Sequence, residues 1–163
     1  MTPIQTQYGG RFFRTRGEAR FAVCFDACQL RYEYEKEGFW LAEGGKYLPD
    51  FWLPRLGHWF EVKSELPNRT AILKCHCLAD ETGDPVAIAC DCPGLDTMIL
   101  CISPRWPGHV IKTLSTFLMQ WLRPDGVLPA IEQAQSARFE FGESPSVVPL
   151  RRDVPESKPR LAF

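Results

Sequence analysis

The chain has 163 residues and a formal net charge of −1 at pH 7, with 45% hydrophobic and 24% charged residues. This length suits a single domain with one hydrophobic core, and the near-neutral charge gives no overall sign of a nucleic-acid-binding protein. No apolar run reaches the roughly 20 residues that a membrane-spanning helix needs, and the first residues lack the features of a secretory signal. We therefore expect a cytoplasmic protein with no membrane partner, in which the seven cysteines are reduced.

The first half of the chain predicts one helix followed by antiparallel strands. Residues 1–14 form an arm with a break at Gly9-Gly10, and Thr15 and Glu18 then match a capping box at the start of a helix. Apolar residues follow this capping box at helical spacing. Four strands are predicted next, at residues 30–35, 39–43, 46–53 and 58–63, with Gly44-Gly45 as a hairpin turn.

The second half of the chain predicts further helices and two buried strands. A helix is predicted at residues 66–82, and strands at 86–90 and 97–102. Seven apolar residues then recur at helical spacing and predict an amphipathic helix over residues 107–122. They are Val110, Ile111, Leu114, Phe117, Leu118, Trp121 and Leu122. Pro124-Asp125-Gly126 predicts a turn into a last helix at residues 128–140.

This order of elements predicts a mixed α/β fold, in which one sheet is faced by helices. We expect residues 1–142 to form a single domain. Four prolines interrupt the remainder of the chain, so residues 143–163 are expected to form an irregular, Pro-rich tail.

Two carboxylates and a lysine lie in the strands on either side of one predicted turn. If residues 54–57 form this turn, Asp50 lies opposite Glu61. Opposite residues on antiparallel strands have Cβ atoms roughly 4.5–5.5 Å apart, and like charges in such pairs are destabilising. Lys63 follows Glu61 by two residues and therefore points to the same face. Two carboxylates held together beside an ammonium group indicate a site for a divalent cation, with Mg²⁺ or Mn²⁺ as the expected cofactor.

These residues carry a family resemblance that covers about residues 12–89. With Glu18 on the first helix, Pro49-Asp50 before the turn and Glu61-Val62-Lys63 after it, the chain resembles the PD-(D/E)XK phosphodiesterase superfamily. It is most similar in character to the small nuclease-like proteins of phages and mobile elements. The resemblance implies a restriction-endonuclease-like fold, a mixed β-sheet flanked by helices with an αβββαβ core, followed here by extra C-terminal helices.

The resemblance also implies an activity and the residues that carry it. The protein would be a divalent-metal-dependent endonuclease that hydrolyses DNA and leaves 5′-phosphate and 3′-hydroxyl ends. Asp50 and Glu61 would bind the cation together with the backbone carbonyl of Val62, and Lys63 would orient or activate the attacking water. Glu18 would lean toward the metal in the same way, although the capping box explains this residue equally well.

Basic side chains near these positions are candidates for contacts with the phosphates of DNA. Arg14, Arg16 and Arg20 lie at the start of the first helix, and Arg69 and Lys74 lie on the helix after the third strand of the resembling core. A local basic surface can follow phosphates even when the whole chain is nearly neutral. The alternative for each of them is a solvated helix face.

Two other interpretations of the sequence remain open. The first is a catalytically silent protein of the same fold that binds nucleic acid or a host protein as an inhibitor. The second is a zinc-stabilised module, because Cys75-His76-Cys77 and Cys90-Asp91-Cys92 contain the residue types that bind zinc. Many members of the superfamily act as dimers, so a homodimer is also possible.

Overall fold

The structure is a computed structural model that describes residues 4–120, 122–140 and 143–150. In this part of the chain ten strands and four helices form a mixed α/β fold. The strands are β1 Thr6–Tyr8, β2 Arg11–Phe13, β3 Glu33–Tyr34, β4 Phe39–Leu41, β5 Gly45–Tyr47, β6 Phe51–Leu53, β7 His58–Lys63, β8 Val86–Cys90, β9 Met98–Ile102 and β10 His109–Thr113. The helices are α1 Arg16–Ala27, α2 Arg69–Thr82, α3 Leu114–Leu118 and α4 Pro124–Ser136.

Six of the strands form one mixed sheet in the order β10-β9-β8-β7-β6-β3. Neighbouring strands are antiparallel except β7 and β8, which run parallel because α2 carries the chain back between them. Two hairpins, β1–β2 and β4–β5, lie outside this sheet. The prediction of a mixed α/β fold with helices against one sheet is therefore confirmed. No helix among the described residues is long and apolar enough to cross a membrane.

The buried core lies on both faces of the sheet. Strand β8 is buried along its whole length, and its side chains alternate between two hydrophobic clusters. Ala87 and Ala89 belong to the cluster that includes α1, α3 and α4, whereas Val86 and Ile88 belong to the cluster that includes α2. Because successive side chains of a strand point to opposite faces, helices cover both faces of the sheet at β8.

Several elements begin and end where local chemistry predicts. Helix α1 begins after Thr15, whose hydroxyl oxygen accepts a hydrogen bond from the Glu18 amide at 3.1 Å, as the capping box predicts. Helix α2 begins later than residue 66 because Asn68 is its N-cap, and its C-terminal end is capped by Gly83, which has a φ of +71°. Strand β7 has the predicted bounds.

The predicted helix over residues 107–122 is wrong. Its first part is strand β10, which pairs with β9 at the edge of the main sheet, and only the short helix α3 follows. Val110 and Ile111 are 56% and 60% exposed, so they do not form the apolar face that their helical spacing suggested. Both side chains are β-branched and favour strands, and the Thr113 side chain caps α3, which fixes the start of the helix there. Residue 121 lies outside the described residues.

The last helix is also displaced from its prediction at residues 128–140. Helix α4 begins at Pro124, so the three residues expected to form a turn are its first turn instead. Proline is favoured at the first helical position, where its missing N–H group has no partner to lose. Asp125 follows it, and an acidic residue there interacts favourably with the helix dipole.

The strand predicted at residues 46–53 is divided in two. Its first part, β5, pairs with β4, and its second part, β6, pairs with β7 in the main sheet. Residues 48–50 between them belong to no strand, and Pro49 in this segment has no N–H group to donate to a sheet. The strand predicted at residues 30–35 is reduced to β3.

The described part of the predicted tail packs against the body of the protein. Residues 143–150 form no helix or strand, but the Leu150 amide donates to the carbonyl of Ala27 at 2.9 Å. The amide side chains of Gln29 and Gln133 bind the backbone of Leu150 and Val148. This segment is therefore held on α1 and α4, and residues 151–163 lie outside the described residues.

His58, at the start of β7, makes the stability of the fold depend on pH. Its ring is buried against Phe117, and burial lowers the pKa of His58 from 6.5 to about 4. The unfolded chain therefore binds a proton at higher pH than the folded protein does. We expect the contribution of His58 to the free energy of unfolding to fall by up to about 3 kcal/mol as the pH drops from 6.5 to about 4, and to change no further below that range.

Urea unfolding at a series of pH values measures this effect. The His58→Leu variant should lack this part of the acid destabilisation, whereas His109→Gln, at an exposed position on β10, should keep the profile of the parent. Parallel profiles for the parent and His58→Leu would show that His58 is not the responsible group.

Candidate functional site

The residues expected to act in catalysis and metal binding surround a single cavity. This cavity has a volume of about 360 Å³, and Glu18, Asp50, Glu61, Val62 and Lys63 all line it. They come from three parts of the chain: the first turn of α1, the residue before β6, and the end of β7. The structure therefore brings together the residues that the sequence placed as far apart as positions 18 and 63.

The register of β6 and β7 sets the distance between the two candidate metal ligands. The strands pair as a turn at residues 54–57 requires, with Phe51 opposite Phe60. Asp50, one residue farther back, therefore faces Glu61, and the Asp50 amide lies 3.3 Å from Glu61 Oε2 as a hydrogen-bond donor. The predicted approach of the two residues is confirmed, although Asp50 itself lies just outside the strand.

Asp50 is a buried carboxylate with two different partners. Its Oδ2 accepts a hydrogen bond from the Val62 amide at 2.8 Å, and its Oδ1 accepts one from Arg14 Nη2 at 2.9 Å. Burial raises the pKa of Asp50 well above its usual range, and the like charges of Glu61 and Glu18 raise it further. Positive charge beside Asp50 is therefore needed to favour its ionised form over its protonated form.

Glu61 and Lys63 form an ion pair at the same cavity. The ammonium group of Lys63 donates to Glu61 Oε1, while Glu61 Oε2 faces the Asp50 amide. Burial by itself lowers the pKa of Lys63, but the charge of Glu61 and its hydrogen bond outweigh this effect and raise the pKa. Lys63 is thus a protonated ammonium group on the same face as the two carboxylates, as the spacing of Glu61 and Lys63 predicts.

Glu18 belongs to the capping box of α1 and also lines the cavity. Its Oε1 accepts a hydrogen bond from the Thr15 hydroxyl at 3.0 Å, and its Oε2 accepts bonds from the Tyr34 hydroxyl at 2.6 Å and the Arg14 amide at 3.1 Å. Three donors of the protein therefore bind this buried carboxylate. Glu18 contributes negative charge to the cavity, but both of its oxygens are already used.

Tyr34 and Glu35 belong to the site, although nothing in the sequence indicated it. The Tyr34 hydroxyl donates to the Glu18 carboxylate, and Arg14 Nε forms an ion pair with Glu35 Oε1 at 2.6 Å. The Glu35 amide also donates to the carbonyl of Asp50 at 2.8 Å. These contacts exist because β3 lies beside β6 in the sheet, and strand order is not visible in local spacing.

Tyr47 and Cys75 form a second group that the sequence did not reveal. The Tyr47 hydroxyl lies 3.5 Å from Cys75 Sγ, and burial together with the charge of Glu61 raises the pKa of Tyr47. Burial likewise raises the pKa of the Cys75 thiol to about 12. Both groups are therefore neutral at physiological pH, and they lie close enough to Glu61 for its charge to act on them.

The basic residues predicted to bind nucleic acid divide into two groups. Arg14 lines the cavity, and Arg20 Nη1 lies 3.6 Å from the sulfur of Cys92, which lines the cavity as well. Arg16 pairs with Glu140, Arg69 is exposed at the start of α2, and Lys74 lies against Gly44 in the β4–β5 turn. Arg16, Arg69 and Lys74 are not among the residues that line the cavity.

The zinc interpretation finds no support in the described residues. All seven cysteines are free thiols, and no group of three or more His, Cys, Asp or Glu side chains in this part of the chain is arranged to hold a metal ion. A structural zinc site needs four such ligands. Mg²⁺ differs, because it usually takes one or two carboxylates and completes its coordination with water and substrate oxygens.

No protein-family model, no curated protein and no solved structure matches the chain. The chemistry of the cavity therefore has to indicate what the site can do. Four acidic side chains and two basic ones line it, which leaves an excess of negative charge around Asp50 and Glu61. Such an arrangement favours a hard cation, and the ammonium and guanidinium groups beside it favour an anionic substrate.

Removing the charge of Glu61 tests the electrostatics of the cavity. In the Glu61→Gln variant we expect the pKa of Asp50 to fall, because a like charge that raises it is gone and Lys63 is released from its partner. The measurement is a ¹³C NMR titration of the Asp50 carboxyl group. The Glu140→Gln variant, which loses only the ion pair with Arg16, should leave the Asp50 titration unchanged. An unchanged or higher midpoint in Glu61→Gln would contradict this description.

Proposed function

We propose that the protein is a divalent-metal-dependent phosphodiesterase that hydrolyses DNA as an endonuclease. The observation that carries this proposal is the convergence of Asp50, Glu61 and Lys63 on one cavity, where the Asp50 amide lies 3.3 Å from the Glu61 carboxylate. Two buried carboxylates this close repel each other and cost stability, and a bound cation would offset that cost. Their combination with an ammonium group is the arrangement that the resemblance to the PD-(D/E)XK superfamily implies for metal-dependent phosphodiester hydrolysis.

The order of the elements around the site supports a restriction-endonuclease-like fold. Helix α1, strands β3, β6 and β7, helix α2 and strand β8 follow one another in the chain. This is the αβββαβ order that the resemblance to the PD-(D/E)XK superfamily implies. The hairpin β4–β5 is an insertion between β3 and β6, and β9, β10, α3 and α4 are additions after the core.

The residues present fit a hard divalent cation. Asp50 and Glu61 offer carboxylate oxygens, and the resemblance adds the backbone carbonyl of Val62, so the donors are the oxygen ligands that Mg²⁺ and Mn²⁺ accept. The pKa of Asp50 is raised by burial and by the charges of Glu61 and Glu18, and a cation bound beside it would favour its ionised form. A bound cation would offset charge on the phosphoryl oxygens and make a water molecule easier to deprotonate.

The other side chains of the cavity have roles that follow from their contacts. Lys63 holds a compact positive charge beside Glu61, where it can orient the attacking water and stabilise negative charge that develops on the phosphoryl group. Glu18 adds negative charge and fixes the start of α1 through Thr15. The resemblance to phage and mobile-element proteins makes DNA the proposed partner, and Arg20 places a further guanidinium group beside the cavity.

Cleavage assays with and without metal test the proposal directly. Labelled duplex DNA, single-stranded DNA and RNA are incubated with Mg²⁺, Mn²⁺ or EDTA, and we expect metal-dependent cleavage of DNA. Asp50→Ala and Lys63→Ala should lower the rate by about 100-fold or more while the proteins remain folded, because each removes a charge that acts at the reacting phosphate. Circular dichroism and thermal unfolding check the fold of each variant.

Lys46→Ala is the matched control, because Lys46 is an exposed lysine on β5 that does not line the cavity. It should cleave like the parent. Full cleavage by Asp50→Ala or Lys63→Ala would refute the assignment of the site. If the parent binds DNA without cutting it under any of these conditions, the catalytically silent binding protein is the correct interpretation.

A further inference from the structure

Arg14 links two carboxylates at the edge of the cavity. Its Nη2 lies 2.9 Å from Asp50 Oδ1, and its Nε lies 2.6 Å from Glu35 Oε1. The guanidinium group is therefore the counter-ion of the carboxylate that the proposed function assigns to the metal. The predicted contact of Arg14 with nucleic acid does not by itself explain why the guanidinium group pairs with Asp50.

The backbone of Arg14 is anchored by the protein, whereas its side chain is partly exposed to solvent. The Arg14 amide donates to Glu18 Oε2 at 3.1 Å and to the Tyr34 hydroxyl at 3.0 Å, so the residue is anchored between β2 and α1. The side chain, in contrast, is 51% exposed, and its guanidinium group pairs with Asp50 and Glu35 and interacts with the Tyr34 hydroxyl. The Asp50 side chain of this pair is only 5% exposed, so the guanidinium can leave at low cost only where another positive charge takes its place beside Asp50.

A cation bound at Asp50 competes with Arg14 for the same oxygen. Asp50 Oδ2 accepts a hydrogen bond from the Val62 amide of β7. Among the contacts of the described residues, the partner of Oδ1 is the Arg14 guanidinium. Asp50 would hold a divalent cation through Oδ1, and Arg14 would then leave this oxygen, because two positive charges this close repel each other. Lys63 does not meet the same competition, since its ammonium group binds Glu61 instead.

We propose that Arg14 is the substrate-binding arginine of this site and that a divalent cation releases it from Asp50 to bind a phosphate of the DNA. This inference rests on the proposed function. Glu35 keeps hold of the guanidinium at Nε, so the released group remains at the edge of the cavity. Its remaining N–H donors form the planar fork that matches two phosphate oxygens. Metal binding and substrate binding are thereby coupled through one side chain.

Glu35 is suited to this tethering role by its own backbone. Its φ of +47° is in the left-handed region, which a residue other than glycine rarely adopts, and its amide donates to the Asp50 carbonyl at 2.8 Å. Glu35 is thus fixed to the same residue whose carboxylate Arg14 leaves.

The test compares Mn²⁺ affinity in the absence of DNA with kinetics on duplex DNA. Arg14→Gln should bind Mn²⁺ about fivefold more tightly than the parent by isothermal titration calorimetry, which corresponds to the loss of one partly exposed competing ion pair. On duplex DNA the same variant should show a KM raised by about tenfold, with a smaller change in kcat, because a bidentate phosphate contact is lost. Tighter metal binding together with weaker substrate binding is the signature of this exchange.

Two further variants make the result specific. Arg14→Lys keeps a positive charge beside Asp50 and should bind Mn²⁺ like the parent, while Arg16→Gln, which loses only the pair with Glu140, should also bind Mn²⁺ like the parent. Mn²⁺ affinity in Arg14→Gln that is equal to or lower than that of the parent would overturn the proposal. So would an equal gain in Arg14→Lys, because charge would then not be the cause.

Failure of the proposed function gives a different result. In that case the parent neither binds Mn²⁺ nor cleaves DNA, and Asp50→Ala behaves like the parent in both measurements. If the parent binds Mn²⁺ and cleaves, but Arg14→Gln shows no gain in metal affinity, the nuclease assignment stands and only the role of Arg14 is wrong.

Discussion

The close approach of Asp50 and Glu61 is the constraint on which the site depends, and the backbone imposes it. Asp50 is held at three points: its amide faces Glu61, its carboxylate accepts the Val62 amide, and its carbonyl accepts the Glu35 amide. Two buried anions in this position repel each other, so the free energy that keeps them together comes from elsewhere. The aromatic side chains of β6 and β7 that face α1 provide it, since they are fully buried in the larger hydrophobic cluster.

The positive charges of the site are placed so that they can serve two purposes. Arg14 and Lys63 each neutralise one carboxylate, yet both remain partly exposed at the cavity, with side chains 51% and 35% accessible. A fully buried partner would stabilise the acids more strongly but would leave no room for the cation and the phosphate that we propose to bind there. Partial exposure therefore weakens these ion pairs and makes the charges accessible from the cavity, as the proposed exchange of Arg14 requires.

The errors of the sequence predictions have a common physical cause. Val110 and Ile111 satisfy a helical repeat, but β10 gains backbone hydrogen bonds by pairing with β9, a contact that depends on the assembled sheet. The strand predicted at residues 46–53 is divided because its two parts find different partners, β4 and β7. In both cases the local pattern was compatible with two structures, and pairing with a distant segment selected one of them.

The sequence by itself determined the capping box of α1, the bounds of β7, and the opposition of Asp50 and Glu61 with Lys63 on the same side. Each of these follows from spacing within one turn or one hairpin, where the chain has few alternatives. Only the tertiary structure decided that Arg14, Tyr34 and Glu35 join this group. They reach it because β3 pairs with β6 and because the N-terminal segment crosses to Asp50, and such contacts are set by the packing of the whole sheet. Local spacing carries no information about that packing.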